Sequence, residues 1–129
     1  TEIYTLSLHD ALPIYFEDYW RAEIDGKLVK MSHDDWIRRF LKNKEYLSIT
    51  TLFDDSKFWE VDDGKRSYPE SGSFIKYLAQ KHGLNKVMTA YGKLKRKNLD
   101  KDYNYQVFKD VFGLSVEEIE KEWLGYLKV

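Results

Sequence analysis

The sequence contains no cysteine, and this absence removes several classes of site at once. Without thiols the chain can form no disulfide, no thiolate zinc site and no cysteine nucleophile. The absence assigns no compartment, because proteins of oxidising and reducing environments can both lack cysteine. The localisation therefore stays open.

The sequence also lacks an excess of charge and a long apolar run. Lys and Arg number 21 and Asp and Glu 22, which gives a net charge of -1. No global field then attracts nucleic acid, and no apolar stretch approaches the roughly 20 residues of a membrane span. The one basic cluster, GKLKRKN at residues 92–98, lies at a predicted helix end and has no interleaved aromatic ring to stack on a base. We therefore expect neither a nucleic-acid partner nor a membrane span.

Strand signals are nearly absent, and the apolar residues recur at helical spacing instead. Helices are predicted over residues 15–24, 32–47, 69–83, 84–98, 103–113 and 114–129. The sequence therefore predicts an all-α fold, an irregular bundle of about five to six helices in a single domain over residues 15–129.

Each predicted helix has an apolar face and recognisable ends. Asp25-Gly26 is expected to end the first helix, Ser32 to begin the second, and Gly83 to cap the third. Ser115 and Glu118 form a capping box at the start of the last helix. The residues at helical spacing, in chain order, are Phe16, Tyr19, Trp20 and Glu23; Trp36, Ile37, Phe40 and Leu41; Phe74, Ile75, Leu78 and Ala79; Val87, Met88, Tyr91 and Leu94; Tyr105, Phe108, Val111 and Phe112; and Val116, Ile119, Trp123 and Leu127, of which the last four are the predicted buried stripe of the final helix.

Histidine is too sparse to suggest a metal site. His33 and His82 are far apart in the chain and lack the i, i+4 spacing of a helical zinc motif. His82 falls in the last turn of a predicted helix, where its interaction with the exposed carbonyls explains it, and His33 is expected at the surface. The third histidine, His9, belongs to a segment that stands apart from the rest of the chain.

That segment, TEIYTLSLHDALPI at residues 1–14, shares no capping or amphipathic pattern with the remainder. It lacks the basic start and apolar block of a secretory signal peptide. Written back into codons, it resembles a common short-read sequencing adapter translated in one frame. We interpret residues 1–14 as a non-native segment and exclude them from the fold.

Two stretches carry a family resemblance: YPESGSFIKYLAQKHG at residues 68–83 and FGLSVEEIEKEWLGYL at residues 112–127. Together they resemble the region downstream of the zinc motif in the peptidase MA-like branch of the gluzincin metallopeptidases. In that branch a Tyr three residues before a small residue precedes a helix ending in Tyr-Gly, and a Trp marks the closing helix. The matching positions here are Tyr68, Ser71, Gly83 and Trp123.

The resemblance implies zinc-dependent hydrolysis of a peptide or protein substrate by the full-length protein. In such enzymes an HExxH glutamate acts as base, and a phenol donates a hydrogen bond to the developing oxyanion. Tyr68 occupies the place of that phenol, although it could instead simply pack against Pro69. Glu17, in the YFE that resembles the tail of the family's EGxAxYxE pattern, matches a carboxylate near the metal, although it could instead face solvent.

The same pattern places the third zinc ligand at position 10, where Asp10 stands inside the non-native segment. No metal ligand can be assigned in this chain, so zinc is expected in the full-length protein only, and the chain as written is expected to be inactive. The alternative is a non-catalytic helical module that binds a protein or peptide through its aromatic surface. The family likeness would then come from helix periodicity alone.

Deleting residues 1–14 is expected to leave the melting temperature nearly unchanged, because a segment without an amphipathic pattern should pack only weakly against the rest of the domain. Thermal unfolding followed by circular dichroism measures this. A markedly lower melting temperature after the deletion would contradict the non-native interpretation.

Overall fold

The computed structural model describes residues 19–49, 66–94 and 101–128, apart from the side chains of residues 67 and 101. The described elements are β1 (Tyr19–Ile24), β2 (Lys27–Ser32), α1 (His33–Lys42), α2 (Ser67–His82), α3 (Leu84–Lys93), α4 (Lys101–Phe112) and α5 (Val116–Leu127). The strands form one antiparallel hairpin, and α1 packs against the hairpin and α2. The prediction of a mostly helical fold is confirmed.

The prediction of a helix over residues 15–24 is wrong where the structure describes them, because residues 19–24 form β1. Asp25 and Gly26 adopt φ values of 51° and 80°, and Ile24 pairs with Lys27 across them. An Asp-Gly pair with two positive φ values closes a two-residue hairpin whose twist matches its strands. The Asp-Gly pair therefore joins two strands and does not end a helix.

The hairpin has the alternating pattern of a half-buried sheet. Trp20, Ala22 and Ile24 of β1 pack against the core together with Val29 and Met31 of β2, while the residues between them in β1 are more exposed. The apolar hairpin face lies over α1, and the Trp36 indole N–H donates to the Trp20 carbonyl at 2.7 Å. This bond ties the start of β1 to α1.

The capping predictions for α1 and α5 are confirmed. The Ser32 hydroxyl accepts a hydrogen bond from the Asp35 N–H at 3.1 Å. At the start of α5, Ser115 and Glu118 exchange both bonds of the capping box, at 3.1 and 2.8 Å. These caps satisfy amide groups that a helix N-terminus leaves without intrahelical partners.

The core lies where α2 meets α5 and α4. The Phe74 ring is fully buried and contacts Trp123 edge-on at 5.3 Å and Phe108 at 6.1 Å. The predicted stripe of α5 is buried at all four positions, and α1 buries Trp36, Ile37 and Phe40 as predicted. Large rings meeting in offset or edge-on geometry supply much of the buried area in so small a domain.

Helix α3 differs from its predicted face and length. Val87 and Leu94 are buried as expected, but Met88 is 46% exposed. The helix ends at Lys93, and Leu94 adopts an extended conformation, whereas the predicted continuation through residue 98 lies outside the described residues. Gly83, with φ of 95°, separates α2 from α3, so the expected glycine cap has the positive φ that favours glycine. No helix in the described residues is both long and apolar enough to cross a bilayer.

Helices α1 and α2 approach closely at one glycine. A Cβ atom built on Gly72 would lie 2.6 Å from Cε1 and 2.8 Å from Cγ of His33. His33 is only 2% exposed, so the expectation that it lies at the surface is wrong. The missing side chain at Gly72 creates the space that buries the imidazole.

Gly72→Ala is expected to destabilise the fold by about 1–3 kcal/mol, because the new methyl group overpacks the buried His33 ring. Alanine is otherwise the better helix former by ~1 kcal/mol, so the matched variant Gly125→Ala, with no atom within 4 Å of its Cβ, should be neutral or stabilising. Urea unfolding of both variants measures the difference.

Adding His33→Ala to Gly72→Ala should recover part of the lost stability, since the two side chains would no longer compete for one space. Equal effects of the two glycine substitutions would contradict the assigned contact.

Candidate functional site

Tyr68, the candidate oxyanion donor, lies in the first turn of α2. Its half-buried ring stacks on the Trp20 indole, with centroids 5.2 Å apart and planes inclined by 12°. Trp20 is itself held by the bond from Trp36 to its carbonyl. The hairpin therefore fixes the plane of the Tyr68 ring, at the edge of the Phe74 and Trp123 cluster.

The structure pairs Tyr68 with a residue that the sequence did not suggest. Trp20 was expected on the buried face of a helix, and its stacking on Tyr68 follows from the hairpin. The expected neighbour of Tyr68, Glu17, lies outside the described residues, so its proximity to the phenol stays a prediction. The alternative, in which Tyr68 simply packs against Pro69, also stays a prediction.

The first two turns of α2 bury an unusual number of polar side chains. Glu70 and Ser71 are 0% exposed, and Ser73 is 1% exposed. Buried polar groups normally require hydrogen-bond partners, so each of the three needs an account. Their burial could not be predicted from the sequence, because serine and glutamate at these positions add no apolar periodicity.

Ser73 belongs to a satisfied network that joins three helices. Its hydroxyl donates to Asp34 Oδ1 of α1 at 2.6 Å and accepts from the Trp123 indole N–H of α5 at 2.9 Å. Lys76 Nζ and the Tyr126 hydroxyl each lie 3.4 Å from Asp34 Oδ2. Asp34 is thereby charge-compensated, and the network fixes how α1, α2 and α5 meet.

Glu70 lies in a second polar cluster, in which one buried oxygen lacks a hydrogen-bond partner among the described residues. Its Oε2 accepts a hydrogen bond from the Leu47 N–H at 2.9 Å, whereas its buried Oε1 has no partner in the part of the chain that the structure describes. Nearby, Glu120 Oε2 accepts from the Tyr46 hydroxyl at 2.5 Å and from the Ile49 N–H at 3.0 Å. Two carboxyl groups thus anchor the segment after α1.

Burial raises the pKa of Glu70 well above its usual value. The nearby Glu120 acts in the same direction, whereas the Leu47 hydrogen bond and Arg66 oppose the shift. Burial and the bond to Glu120 likewise raise the pKa of Tyr46, which keeps its hydroxyl a donor. Glu70 therefore favours a proton in the folded state.

Ser71 lies three residues after Tyr68, and its buried hydroxyl has no hydrogen-bond partner among residues 19–49, 66–94 and 101–128. A serine nucleophile needs an adjacent base within hydrogen-bond reach. In those ranges no histidine or carboxylate is bonded to Ser71, so no nucleophile pair is formed there. Three residues after Tyr68, Ser71 lies on the same side of α2.

His82 lies in the last turn of α2, as predicted. Its ring meets Phe112 edge-on at 5.4 Å, and its Nε2 is buried. Burial lowers the pKa of the imidazole, although Glu122 opposes this shift. His82 thus packs against Phe112 in the last turn of α2, and its interaction with the exposed carbonyls stays a prediction.

The described residues contain no group of three His, Asp or Glu side chains that could hold a metal ion. A catalytic zinc site needs three protein ligands, so the donor set required for zinc is not found in this part of the chain. His33 packs beside Gly72 near the start of α2, and His82 lies in the last turn of the same helix. The two histidines therefore lie at opposite ends of α2.

Comparisons with protein-family models, with curated proteins and with solved structures found no match to this chain. The residues themselves and the resemblance of their motifs are therefore the basis for proposing a function.

Glu70→Gln is expected to remove a pH-dependent loss of stability. Because the folded-state pKa of Glu70 is raised above 4.5, the stabilisation from its bound proton is complete below pH 4.5 and is lost as the pH rises through the folded-state pKa. In that window the free energy of unfolding of the parent should fall by at most ~1.4 kcal/mol per pH unit. The neutral amide cannot titrate.

Melting temperatures between pH 4.5 and 8 measure this effect. The variant should gain stability over the parent as the pH rises, whereas Glu117→Gln, at an exposed position of α5, should follow the parent throughout. A difference between Glu70→Gln and the parent that does not change with pH would contradict the assignment of the proton to Glu70.

Proposed function

We propose that this chain is the helical part of a gluzincin-type zinc metallopeptidase domain, the part that follows the zinc motif, and that Tyr68 is its contribution to peptide-bond hydrolysis. The observation that carries the proposal is the placement of Tyr68. It lies in the first turn of α2 with its ring held by Trp20, and it is not part of the fully buried Phe74 and Trp123 cluster. A phenol held in one orientation at an element's start is suited to donate a hydrogen bond to an oxyanion.

The packing of the two resembling stretches also supports the proposal. Residues 68–83 form most of α2, and residues 112–127 include all of α5. They meet through the Phe74 and Trp123 rings and through the bond from the Trp123 indole to Ser73. The motif residues therefore belong to one packed unit, as they would in a single catalytic domain.

In the proposed enzyme, a zinc ion would supply the Lewis acid and the attacking water. The described residues do not supply the donor set for that ion. The role proposed for this chain is confined to its own groups. Tyr68 donates one hydrogen bond to the carbonyl oxygen of a bound peptide, and Trp20 restricts the ring to the plane in which the hydroxyl can do so.

The alternative function, a non-catalytic module that binds a protein or peptide, is favoured by a different observation. Leu84 and Met88, four residues apart on α3, are 40% and 46% exposed, and Tyr103 and Tyr126 are 41% and 40% exposed. Residues four apart lie on the same helix face, so Leu84 and Met88 could contact a partner together. This hypothesis requires no tyrosine to be positioned at the start of α2.

The native coding sequence upstream of residue 15 distinguishes the two functions. The peptidase proposal requires an HExxH motif within about one helix–turn–helix unit of Tyr15, followed by a glutamate ligand. A native sequence without that motif would contradict the proposal and leave the binding module.

In the protein that includes that motif, Tyr68→Phe is expected to lower kcat about 10²-fold, the scale of losing one oxyanion donor. The melting temperature should change little, because phenylalanine keeps the ring that stacks on Trp20. Steady-state hydrolysis of a peptide, with thermal unfolding in parallel, measures both quantities.

Tyr103→Phe, at an exposed position of α4, is the matched control and should leave kcat unchanged. If Tyr68→Phe left kcat unchanged, or if it lowered the melting temperature markedly, only a packing role would remain for Tyr68.

A further inference from the structure

Two adjoining clefts lie beside the hairpin and α1, and they share Ile24 and Arg39 as lining residues. The first has a volume of about 430 Å³, with Trp36 and Phe40 among its apolar lining. The second has a volume of about 480 Å³, and Val29 is part of its apolar wall. Because Ile24 and Arg39 line both, the two clefts adjoin at these residues.

The charges around these clefts are unequal. Arg38, Arg39, Lys42 and Arg66 line them, whereas the acidic lining residues of the described chain are Glu23 and Glu45.

Two of the four cations are already engaged. Arg38 donates to Asp35 at 2.9 Å and to the Leu127 carbonyl at 2.7 Å. Arg66 donates to the Glu45 carbonyl at 2.9 Å.

Arg39 and Lys42 differ from these two cations. Within residues 19–49, 66–94 and 101–128, both side chains are exposed, and neither side chain forms a hydrogen bond or an ion pair. They lie three residues apart on α1 and therefore on the same side of it. The second cleft thus combines an apolar wall with two cations that have no protein partner in the described chain.

We propose that these clefts bind an extended peptide segment whose carboxylate pairs with Arg39 and Lys42. Apolar side chains of the peptide occupy the space beside Ile24 and Val29, and the carboxylate pairs with the two exposed cations of the last turn of α1. The carboxylate belongs either to an acidic side chain or to the C-terminus of the peptide, and both offer the same pairing chemistry to Arg39.

A peptide fits these clefts better than a nucleic acid does. Single-stranded nucleic acid is bound by exposed aromatic rings together with cations, but Trp36 and Phe40 in the first cleft are only 3% and 7% exposed. The chain's net charge of -1 also gives no general attraction for a polyanion. Apolar walls with a few placed charges are typical of peptide recognition.

The first cleft is connected to the candidate site by short contacts. Trp36 donates its indole N–H to Trp20, and Trp20 stacks on Tyr68. Arg66 precedes Tyr68 by two residues. The interpretation of the clefts as a substrate groove rests on the proposed peptidase function. In that case the substrate is a peptide with a carboxylate near the cleaved bond.

Binding can be tested on this chain itself, without hydrolysis. The probe is an N-acetylated, C-amidated hexapeptide of alternating valine and glutamate, titrated into ¹⁵N-labelled protein while the indole N–H signal of Trp36 is followed. The same peptide with glutamine for glutamate is expected to bind about five- to ten-fold more weakly, which corresponds to two weak ion pairs. The glutamine peptide with a free C-terminus shows whether a terminal carboxylate suffices.

Arg39→Gln combined with Lys42→Gln should abolish the preference for the acidic peptide. Lys81→Gln combined with Lys86→Gln removes the same charge near the junction of α2 and α3 and should retain the preference. Arg39→Glu combined with Lys42→Glu should instead favour a peptide of alternating valine and lysine. Thermal unfolding of each variant shows whether it is folded.

The proposal is overturned if the acidic and amide peptides bind equally, if no peptide binds at millimolar concentration, or if a single-stranded oligonucleotide displaces the acidic peptide at a comparable concentration. None of these results depends on zinc or on Tyr68. Failure of the groove and failure of the peptidase proposal are therefore separate outcomes.

Discussion

The burial of one indole ring, that of Trp123, determines how the helices of this protein meet. The ring is 0% exposed, contacts Phe74 at 5.3 Å and lies 6.1 Å from Tyr46. Fully burying a large side chain contributes roughly 1.5–3 kcal/mol, but apolar burial alone has no direction. The hydrogen bond from the indole N–H to the Ser73 hydroxyl is directional, and it therefore selects one orientation of α5 on α2.

The polar contacts around the core follow from that requirement. The Ser73 hydroxyl accepts from Trp123 and donates a hydrogen bond to Asp34, so two hydrogen bonds connect α5 to α1 through α2. Elsewhere along α2, Glu70 binds the backbone after α1, and Glu120 of α5 binds the same segment at Ile49. A fully satisfied network and a carboxyl group that favours a proton thus lie within one helical turn of each other. The Ser73 network specifies how the helices pack, whereas Glu70 is expected to make the stability of the fold depend on pH.

Sequence patterns predicted the helical core because its apolar residues follow a single period. The stripe from Val116 to Leu127 and the capping box at Ser115 could be read directly, since both depend on local spacing. The hairpin could not be read in the same way, because Tyr19 and Trp20 fit a helical face as well as a strand. The Asp-Gly pair was the one signal for two strands, and it is also a common signal for the end of a helix.

The candidate site was predictable in part, for a similar reason. Tyr68 is identified by its motif, but its partner Trp20 comes from a strand that the pattern assigned to a helix. The burial of His33 depends on the absence of a side chain at Gly72, which lies 39 residues later in the sequence. Contacts of this kind form where two elements distant in sequence meet, so the local spacing of apolar residues does not predict them.

A two-stranded hairpin is marginally stable on its own, so β1 and β2 remain folded only through their contacts with the helices. Their ties are the bond from Trp36 to Trp20, the stack on Tyr68 and the apolar face over α1. Local unfolding of this unit should therefore require less free energy than global unfolding, and its amide hydrogens should exchange earlier than those of α2 and α5. Warming would release the Tyr68 ring from its fixed plane while the helical core is still intact.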